Sequence, residues 1–267
     1  NRRGIASDMS QVPQPAAEMP AQPERAGPLM SPPLILLSYV MTMLGLFSIG
    51  AWSWSTYQTL HDPAFGGRNL DTDFSVFWAA AQLALEGDWL APFDSAILNE
   101  RRLIPAGRES FEMLWFYPPS YLALIMPLGA LPYFWSWAAW GAVSLAALAI
   151  ALRRPARDIP GSLCLIVFAP GALMVLALGQ NSLLIAALLI GALEAMRRDE
   201  HLLAGLLIAA MTIKPQLGLA IPIVLLAGGY WRVILWACIG TVAIIGLTLI
   251  HPGPDYWVAF FQGLAEN

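Results

Sequence analysis

Charged residues are scarce in this sequence. Only 12% of its 267 residues are Asp, Glu, Lys or Arg, and 58% are hydrophobic, whereas soluble domains carry about 25% charged residues. The mean hydropathy is +0.61. This composition excludes an ordinary soluble domain and predicts an integral membrane protein. The net charge of −4 also argues against a nucleic-acid partner, because such a binding surface needs clustered Lys and Arg.

Cysteine and histidine are also few. Cys164 and Cys238 lie in separate apolar runs, so neither a disulfide framework nor a CxxC metal site is indicated. The three histidines, His61, His201 and His251, form no metal-binding pattern such as HExxH. We therefore expect no cofactor, and a divalent metal ion stays open as the alternative.

The sequence lacks the segments of about ten residues with alternating polarity that a membrane β-barrel requires. Instead it contains several uncharged stretches of about 17 to 21 residues, which is long enough for helices to cross the hydrocarbon core. We predict an all-α polytopic membrane protein with about seven transmembrane helices. We also predict a long first extracytoplasmic loop that carries juxtamembrane helices.

Two regions of different character divide the chain. Residues 1–31 are rich in Pro, Ala, Gln and Glu without apolar periodicity, which is typical of a disordered tail. Their arginines are expected to keep this tail in the cytoplasm. Residues 32–267 are predicted to form one multi-pass domain in an inner membrane of the bacterial type. Because the sequence has no initiating Met, we expect it to be part of a longer protein. The membrane domain is also expected to be incomplete at its C-terminus, Asn267.

The predicted spans follow from the uncharged runs and from the basic residues between them, which mark cytoplasmic ends. The spans are 34–54, 133–152, two within 161–193, 202–213, 216–226 and 233–250. A short helix over 117–131 is expected to dip into the outer leaflet. This assignment places the loop 58–132, Gln180 and Lys214 together on the extracytoplasmic side. Basic residues such as Arg153 lie on the other side.

The stretch from residue 70 to 82, just beyond the first predicted span, carries two carboxylates, Asp71 and Asp73. Apolar residues follow at spacings i, i+3, i+4 and i+7, which predicts one apolar face of a helix; they are Phe74, Phe77, Trp78 and Ala81. In one interpretation the carboxylates cap a helix at the membrane surface. In the other, one of them is a general base.

Lys214 lies between two apolar segments. A lysine at mid-bilayer costs about 2.5–3.5 kcal/mol on insertion scales, so such residues normally face a cavity or a partner. It is either a lysine that snorkels to an interface or a point charge for a phosphate. Gln180 and Asn181 follow Gly179 at a turn, where their amides suit a helix cap or hydrogen bonds to a sugar or phosphate. Together these groups suit transfer from a phosphorylated lipid carrier.

Short motifs occur in a fixed order between residues 70 and 260. They are Asp73-Phe74, Val76-Phe77, Ala80-Ala81, Gly87, Phe116-Tyr117-Pro118-Pro119, Pro127-Leu128, Gly179-Gln180-Asn181, Ala204-Gly205-Leu206, Lys214-Pro215 and Tyr230-Trp231-Arg232. In this order and spacing the chain resembles the polytopic glycosyltransferases of the GT-C fold. The resemblance is closest to glycosyltransferase family 87, a group that includes polyprenyl-phosphate-mannose-dependent mannosyltransferases.

The resemblance implies a catalytic base in the first outer loop, which falls on Asp73, with Asp71 as the second choice. The residues expected to bind the donor phosphate or sugar are Lys214, Gln180, Asn181 and Tyr117. The implied donor is a polyprenyl-phosphate sugar, used on the extracytoplasmic side with inversion at the anomeric carbon. The acceptor would be a lipid or a glycan, and membrane lipids are further expected partners.

The sequence departs from the family pattern at two positions where Tyr is expected, Phe77 and Phe93. One alternative is a catalytically idle subunit of this fold that packs against other membrane subunits. Another is a transporter, because a Lys-Pro break between short helices marks some discontinuous binding-site helices. The transporter interpretation expects internal repeats, and the sequence contains no convincing one.

Overall fold

The computed structural model describes residues 32–62, 72–102, 112–157, 161–218 and 220–266. All regular secondary structure in these ranges is helical, which confirms the all-α prediction for the part that is described. The predicted tail, residues 1–31, and the carboxylate of Asp71 lie outside the described residues.

Thirteen α-helices follow one another in the described ranges. They are α1 Pro32–His61, α2 Asp73–Leu85, α3 Ser95–Arg101, α4 Pro119–Ile125, α5 Tyr133–Leu152, α6 Ser162–Val167, α7 Pro170–Leu178, α8 Ser182–Met196, α9 His201–Ala210, α10 Pro215–Gly218, α11 Ala220–Ala227, α12 Trp231–Ile250 and α13 Pro254–Glu266. Short 3₁₀ turns occupy Ala91–Phe93, Met126–Ala130 and Met211–Ile213.

Three of these helices, α1, α5 and α12, are long and apolar enough to cross a membrane. The other predicted spans correspond to shorter helices. The run that begins at residue 161, for example, is divided between α6 and α7 by a break just before Pro170, because proline lacks an N–H and its ring clashes with the preceding helical turn. The count of seven spans is therefore not confirmed and stays a prediction.

Helix α1 is longer than the predicted span, which ended at residue 54. It runs on to His61 and has 30 residues, or about 45 Å at 1.5 Å per residue, against a hydrocarbon core of about 30 Å. Residues 51–61 contain neither Gly nor Pro, so nothing in the sequence ends the helix at the membrane boundary. Helix α1 therefore continues seven residues beyond the predicted span, and the sidedness of the loop that follows stays a prediction.

Helix α2 is the centre of the largest hydrophobic core. Its predicted apolar face is buried, but so is most of the opposite face, and ten of its 13 residues are buried in all. A Cβ added at Gly129 would lie 2.7 Å from the backbone of Ala81, so the 3₁₀ turn at Met126–Ala130 packs directly on the helix backbone. The Trp78 indole also donates a hydrogen bond to the Leu131 carbonyl, at 2.9 Å. Most of α2 is thus enclosed by protein, and its location at the membrane surface stays a prediction.

The helix ends form two groups. Arg153, Arg154 and Arg198, which follow α5 and α8, line one pocket. Arg232 lines a second pocket with His201, where α9 begins. The opposite ends of α5 and α8 contact the start of α2 instead. Polar and basic helix ends are thus separated by the length of the bundle.

Candidate active site

Asp73 is the first residue of α2. The N-cap position belongs to Thr72, whose side chain makes no capping hydrogen bond. The Asp73 carboxylate instead accepts a hydrogen bond at Oδ2 from Gln180 Nε2, a residue 107 positions away in the sequence. A carboxylate in the first turn is favoured by the helix dipole, so this end of α2 supports a negative charge that a distant amide orients.

The turn at Gly179 brings Gln180 to Asp73. Gly179 ends α7 in the left-handed conformation, with φ +66°, which favours glycine. A Cβ at this position would also overlap the side chain of Phe74. The Trp140 indole donates to the Gly179 carbonyl at 3.0 Å and fixes the turn from α5. The predicted polar turn is confirmed, and both its backbone conformation and its close approach to α2 require glycine.

Asn181, which follows Gln180 in the sequence, contacts Lys214. Asn181 is fully buried, and its Oδ1 accepts a hydrogen bond of 3.4 Å from Lys214 Nζ. It occupies the N-cap position of α8 but makes no side-chain capping bond, so the capping interpretation of its amide is wrong. Its Nδ2 is buried without a hydrogen-bond partner among the described residues.

Lys214 follows the 3₁₀ turn that extends α9 and precedes Pro215, whose ring disfavours a helical conformation for the residue before it. The side chain is half-buried. In the described part of the chain no carboxylate forms an ion pair with it. Among the described residues, this positive charge is therefore held by one amide, that of Asn181.

Tyr117 lies beside these groups. Burial raises the pKa of Tyr117 to about 12; the negative charge of Asp73 adds to the rise and the Asn181 side chain opposes it. The ring centroid of Tyr117 is 4.4 Å from that of Tyr121, which is fully buried and has no partner for its hydroxyl among the described residues. Sequence reasoning missed Tyr121, although its position four residues after Tyr117 was available as a signal.

Aromatic side chains enclose the two tyrosines. Phe77, one of the two departures from the family pattern, packs edge-on against Tyr117 and Tyr121 and is itself buried. Tyr256 from α13 closes the far side: its hydroxyl accepts from the Trp115 indole at 2.7 Å and donates to the Tyr117 carbonyl at 3.2 Å. Nothing in the local sequence indicated this contact across about 140 positions.

Arg102 is a second residue that the sequence did not indicate. It is almost completely buried, and its Nε donates to Ser75 Oγ at 2.8 Å while Nη1 donates to Asn99 Oδ1 at 2.7 Å. Ser75 Oγ in turn donates to the Thr72 carbonyl at 2.7 Å. This chain of hydrogen bonds links the end of α3 to the residue just before Asp73.

Five of the six predicted site residues lie in one region, and the sixth, Asp71, lies outside the described residues. The five are Asp73, Gln180, Asn181, Lys214 and Tyr117. Their arrangement offers a carboxylate base, amides, a neutral phenol and a cation. No three His, Cys, Asp or Glu side chains meet within the described ranges. Metal-free chemistry stays a prediction, as do the roles of the individual residues.

Comparison with known proteins gives one match. The family model for glycosyltransferase family 87 matches residues 115–267. No curated protein and no solved structure matches the chain. The matched range contains Tyr117, the Gly179 turn and Lys214, and it begins after α2, so Asp73 lies before it.

Proposed function

This chain belongs to glycosyltransferase family 87, and from this membership we propose that it transfers a mannose-like hexose from a polyprenyl-phosphate carrier to a lipid or glycan acceptor. The reaction takes place on the extracytoplasmic side of an inner membrane of the bacterial type. The observation that carries the proposal is the hydrogen-bond pair that joins Asp73 to Gln180 and Lys214 to Asn181 across adjacent residues of one turn.

In the proposed reaction Asp73 is the general base. Its carboxylate takes the proton of the acceptor hydroxyl while the acceptor oxygen bonds to the anomeric carbon. The bond between that carbon and the phosphate oxygen breaks, and its electron pair leaves with the carrier phosphate. Because attack and departure occur on opposite faces, the anomeric carbon is inverted. Gln180 holds one carboxylate oxygen, which orients the base toward the acceptor.

The leaving phosphate gains negative charge as the bond breaks, and Lys214 is placed to stabilise it. The absence of an ion-pair partner among the described residues leaves this charge for a ligand. Asn181 is fully buried, and its Oδ1 holds the Lys214 ammonium group, so it positions this charge. Tyr117 remains a neutral O–H donor at physiological pH because its pKa is raised to about 12. These donors suit the oxygens of a phosphate or of the sugar.

The test of this proposal is Asp73→Asn in the full-length protein, reconstituted in nanodiscs with polyprenyl-phosphate mannose. Asn keeps the size of the side chain and an oxygen that accepts from Gln180, but it removes the basic carboxylate. We expect transfer to fall by about a hundredfold or more, in the range for loss of a general base, with little change in melting temperature. Asp71→Asn should have a much smaller effect.

Asp88→Asn is the matched control, because the Asp88 carboxylate accepts a bond from the Ala91 backbone, away from the site. It should leave transfer unchanged. Equal transfer by the wild-type and Asp73→Asn proteins would remove Asp73 from the mechanism. Absence of wild-type transfer with a panel of polyprenyl-phosphate hexoses would refute the proposed activity itself.

A further inference from the structure

Helix α13 has two apolar surfaces of opposite exposure. Tyr256 and Phe260 face inward and are buried, whereas Val258, Phe261 and Leu264 are 53%, 60% and 48% exposed. These three residues follow one another at intervals of three, so they form a stripe along one side of the helix. An exposed stripe of large apolar side chains indicates contact with something other than water.

The polar residues of α13 occupy a different side. Asp255 and Gln262 are exposed and lie seven residues apart, which is two helical turns and therefore one edge of the helix. Gln262 directly follows Phe261, so its side chain points about 100° away from that of Phe261, the middle residue of the stripe. The helix is thus divided into a side packed on protein, an apolar exposed side and a polar edge. This division is typical of a helix in the plane of a membrane interface.

The position of α13 agrees with an interfacial location. It follows α12, a candidate membrane span, and is held at the end of that helix by a hydrogen bond of 3.2 Å from the Trp257 indole to Thr248 Oγ1. The last turns of α12 are themselves exposed and apolar, with Leu247 at 67% and Ile250 at 82% exposure. Exposed apolar side chains are thus present both at the end of α12 and along α13.

We propose that α13 lies in the membrane interface on the side of the active site, with its stripe of Val258, Phe261 and Leu264 among the lipid acyl chains and its polar edge in water. Residues 233–267 contain no Lys or Arg, so the contact depends on burial of apolar surface and not on attraction to anionic lipid headgroups. The partner of this surface is the bilayer itself, and the contact does not depend on the fraction of charged lipid.

Neighbouring residues on α13 provide a matched test. An environment-sensitive fluorophore is attached to Phe261→Cys or to Gln262→Cys in the full-length protein, after replacement of Cys164 and Cys238 by Ser, in phosphatidylcholine nanodiscs. The label at 261 should be quenched about threefold more strongly by shallow doxyl-lipid than by iodide, as for an apolar side chain in the interface. The label at 262 should show the reverse preference. Leu264→Cys repeats the measurement on the stripe, in case the change at 261 disturbs the fold.

Other outcomes overturn the proposal. Labels at 261 and 264 that are shielded from both quenchers would show that protein, from this chain or from a partner, covers the stripe. Labels that iodide reaches as readily as it reaches position 262 would place the helix in water. Addition of phosphatidylglycerol should leave the quenching by doxyl-lipid unchanged, and a large increase in that quenching would show that the contact depends on charged lipid, which contradicts the proposal.

Discussion

Lys214 carries its positive charge at a half-buried position. Its ammonium group contacts the amide of a fully buried residue, Asn181, and no carboxylate neutralises it in the described ranges. A half-buried cation without a counter-ion costs free energy unless a ligand supplies the anion. The chain tolerates this cost at the position where the proposed reaction needs a positive charge.

We predict that Lys214→Met leaves the protein folded and weakens its use of the donor. A hydrogen bond to a charged group contributes about 1.5–3 kcal/mol, so kcat/KM for the polyprenyl-phosphate sugar should fall by about tenfold or more. The control is Lys214→Arg, which keeps the charge and should retain much of this kcat/KM. Loss of folded protein with unchanged donor use per folded molecule would assign Lys214 a structural role instead.

Tyr256 connects α13 to the loop that carries Tyr117, and burial raises the pKa of Tyr256 far above its usual range. We predict that Tyr256→Phe lowers stability by about 1–3 kcal/mol, because the Trp115 indole N–H stays buried without its acceptor. Thermal unfolding in nanodiscs measures the loss, and Tyr230→Phe at an exposed site is the control.

The same variant has an expected pH dependence. A tyrosine whose pKa is raised in the folded state stabilises the fold below the unfolded pKa of about 10, and this contribution is lost as the pH rises further. The difference in stability between wild type and Tyr256→Phe should therefore shrink above about pH 10. A difference that grows in this range would contradict a buried neutral phenol.

The predicted donor-binding residues are polar residues inside or between uncharged runs, whereas Asp73 and Asp71 were chosen as the base because of the family resemblance. Lys214 and Gln180 stand out there because few other polar side chains surround them. Tyr121, Tyr256 and Arg102 were missed because aromatic and basic residues are common near membrane interfaces, and their roles depend on partners far away in the sequence. Burial and long-range pairing are properties of the tertiary structure, which the local pattern does not contain.

At the level of elements, α9 and α12 approach each other closely at glycine. A Cβ on Gly205 would lie 2.8 Å from the backbone nitrogen of Ala237 in α12, and Gly240 leaves similarly little room for Ala209. Close approach at small residues allows strong packing between membrane helices. Because the 3₁₀ turn that follows α9 carries Lys214, this crossing also sets the position of the proposed phosphate contact.

We predict that Gly205→Val destabilises the protein by about 1–3 kcal/mol, the range for overpacking a filled interior, and also reduces transfer because α9 must move. The melting temperature and the rate of transfer both measure the change. Gly246→Val is the matched control, since a Cβ there meets nothing within 4 Å. An equal response of the two variants would mean that the close crossing is not required.

The elements were predictable to different degrees. The apolar period of α2 was visible, but its second buried face was not, because Ala79 and Ala80 carry no strong signal of burial and are covered only in the tertiary structure. The predicted span ended at residue 54, whereas α1 continues to His61, because a helix continues when no Gly, Pro or cap stops it.

For the whole molecule, composition predicted a membrane protein, but it did not predict the number of membrane crossings. Hydropathy measures the length of an uncharged run, and the run that contains α6 and α7 is long enough for a span although its helices are short. The basic residues predicted the direction of each helix. This direction agrees with the structure, in which Arg153 and Arg198 are separated from the turn at Gly179.

This separation leads to a prediction of topology. If the basic ends are cytoplasmic, as the positive-inside rule requires, the site faces the extracytoplasmic space. A membrane-impermeant maleimide should then label Lys214→Cys and Asp88→Cys in intact cells that express the otherwise cysteine-free protein. Arg153→Cys and Arg232→Cys should react only after permeabilisation.

Because Asp88 is exposed beside α2 and belongs to no part of the proposed machinery, it tests sidedness independently of the site. Labelling of both Lys214→Cys and Asp88→Cys only in permeabilised cells would place the site in the cytoplasm and exclude a reaction on the extracytoplasmic side.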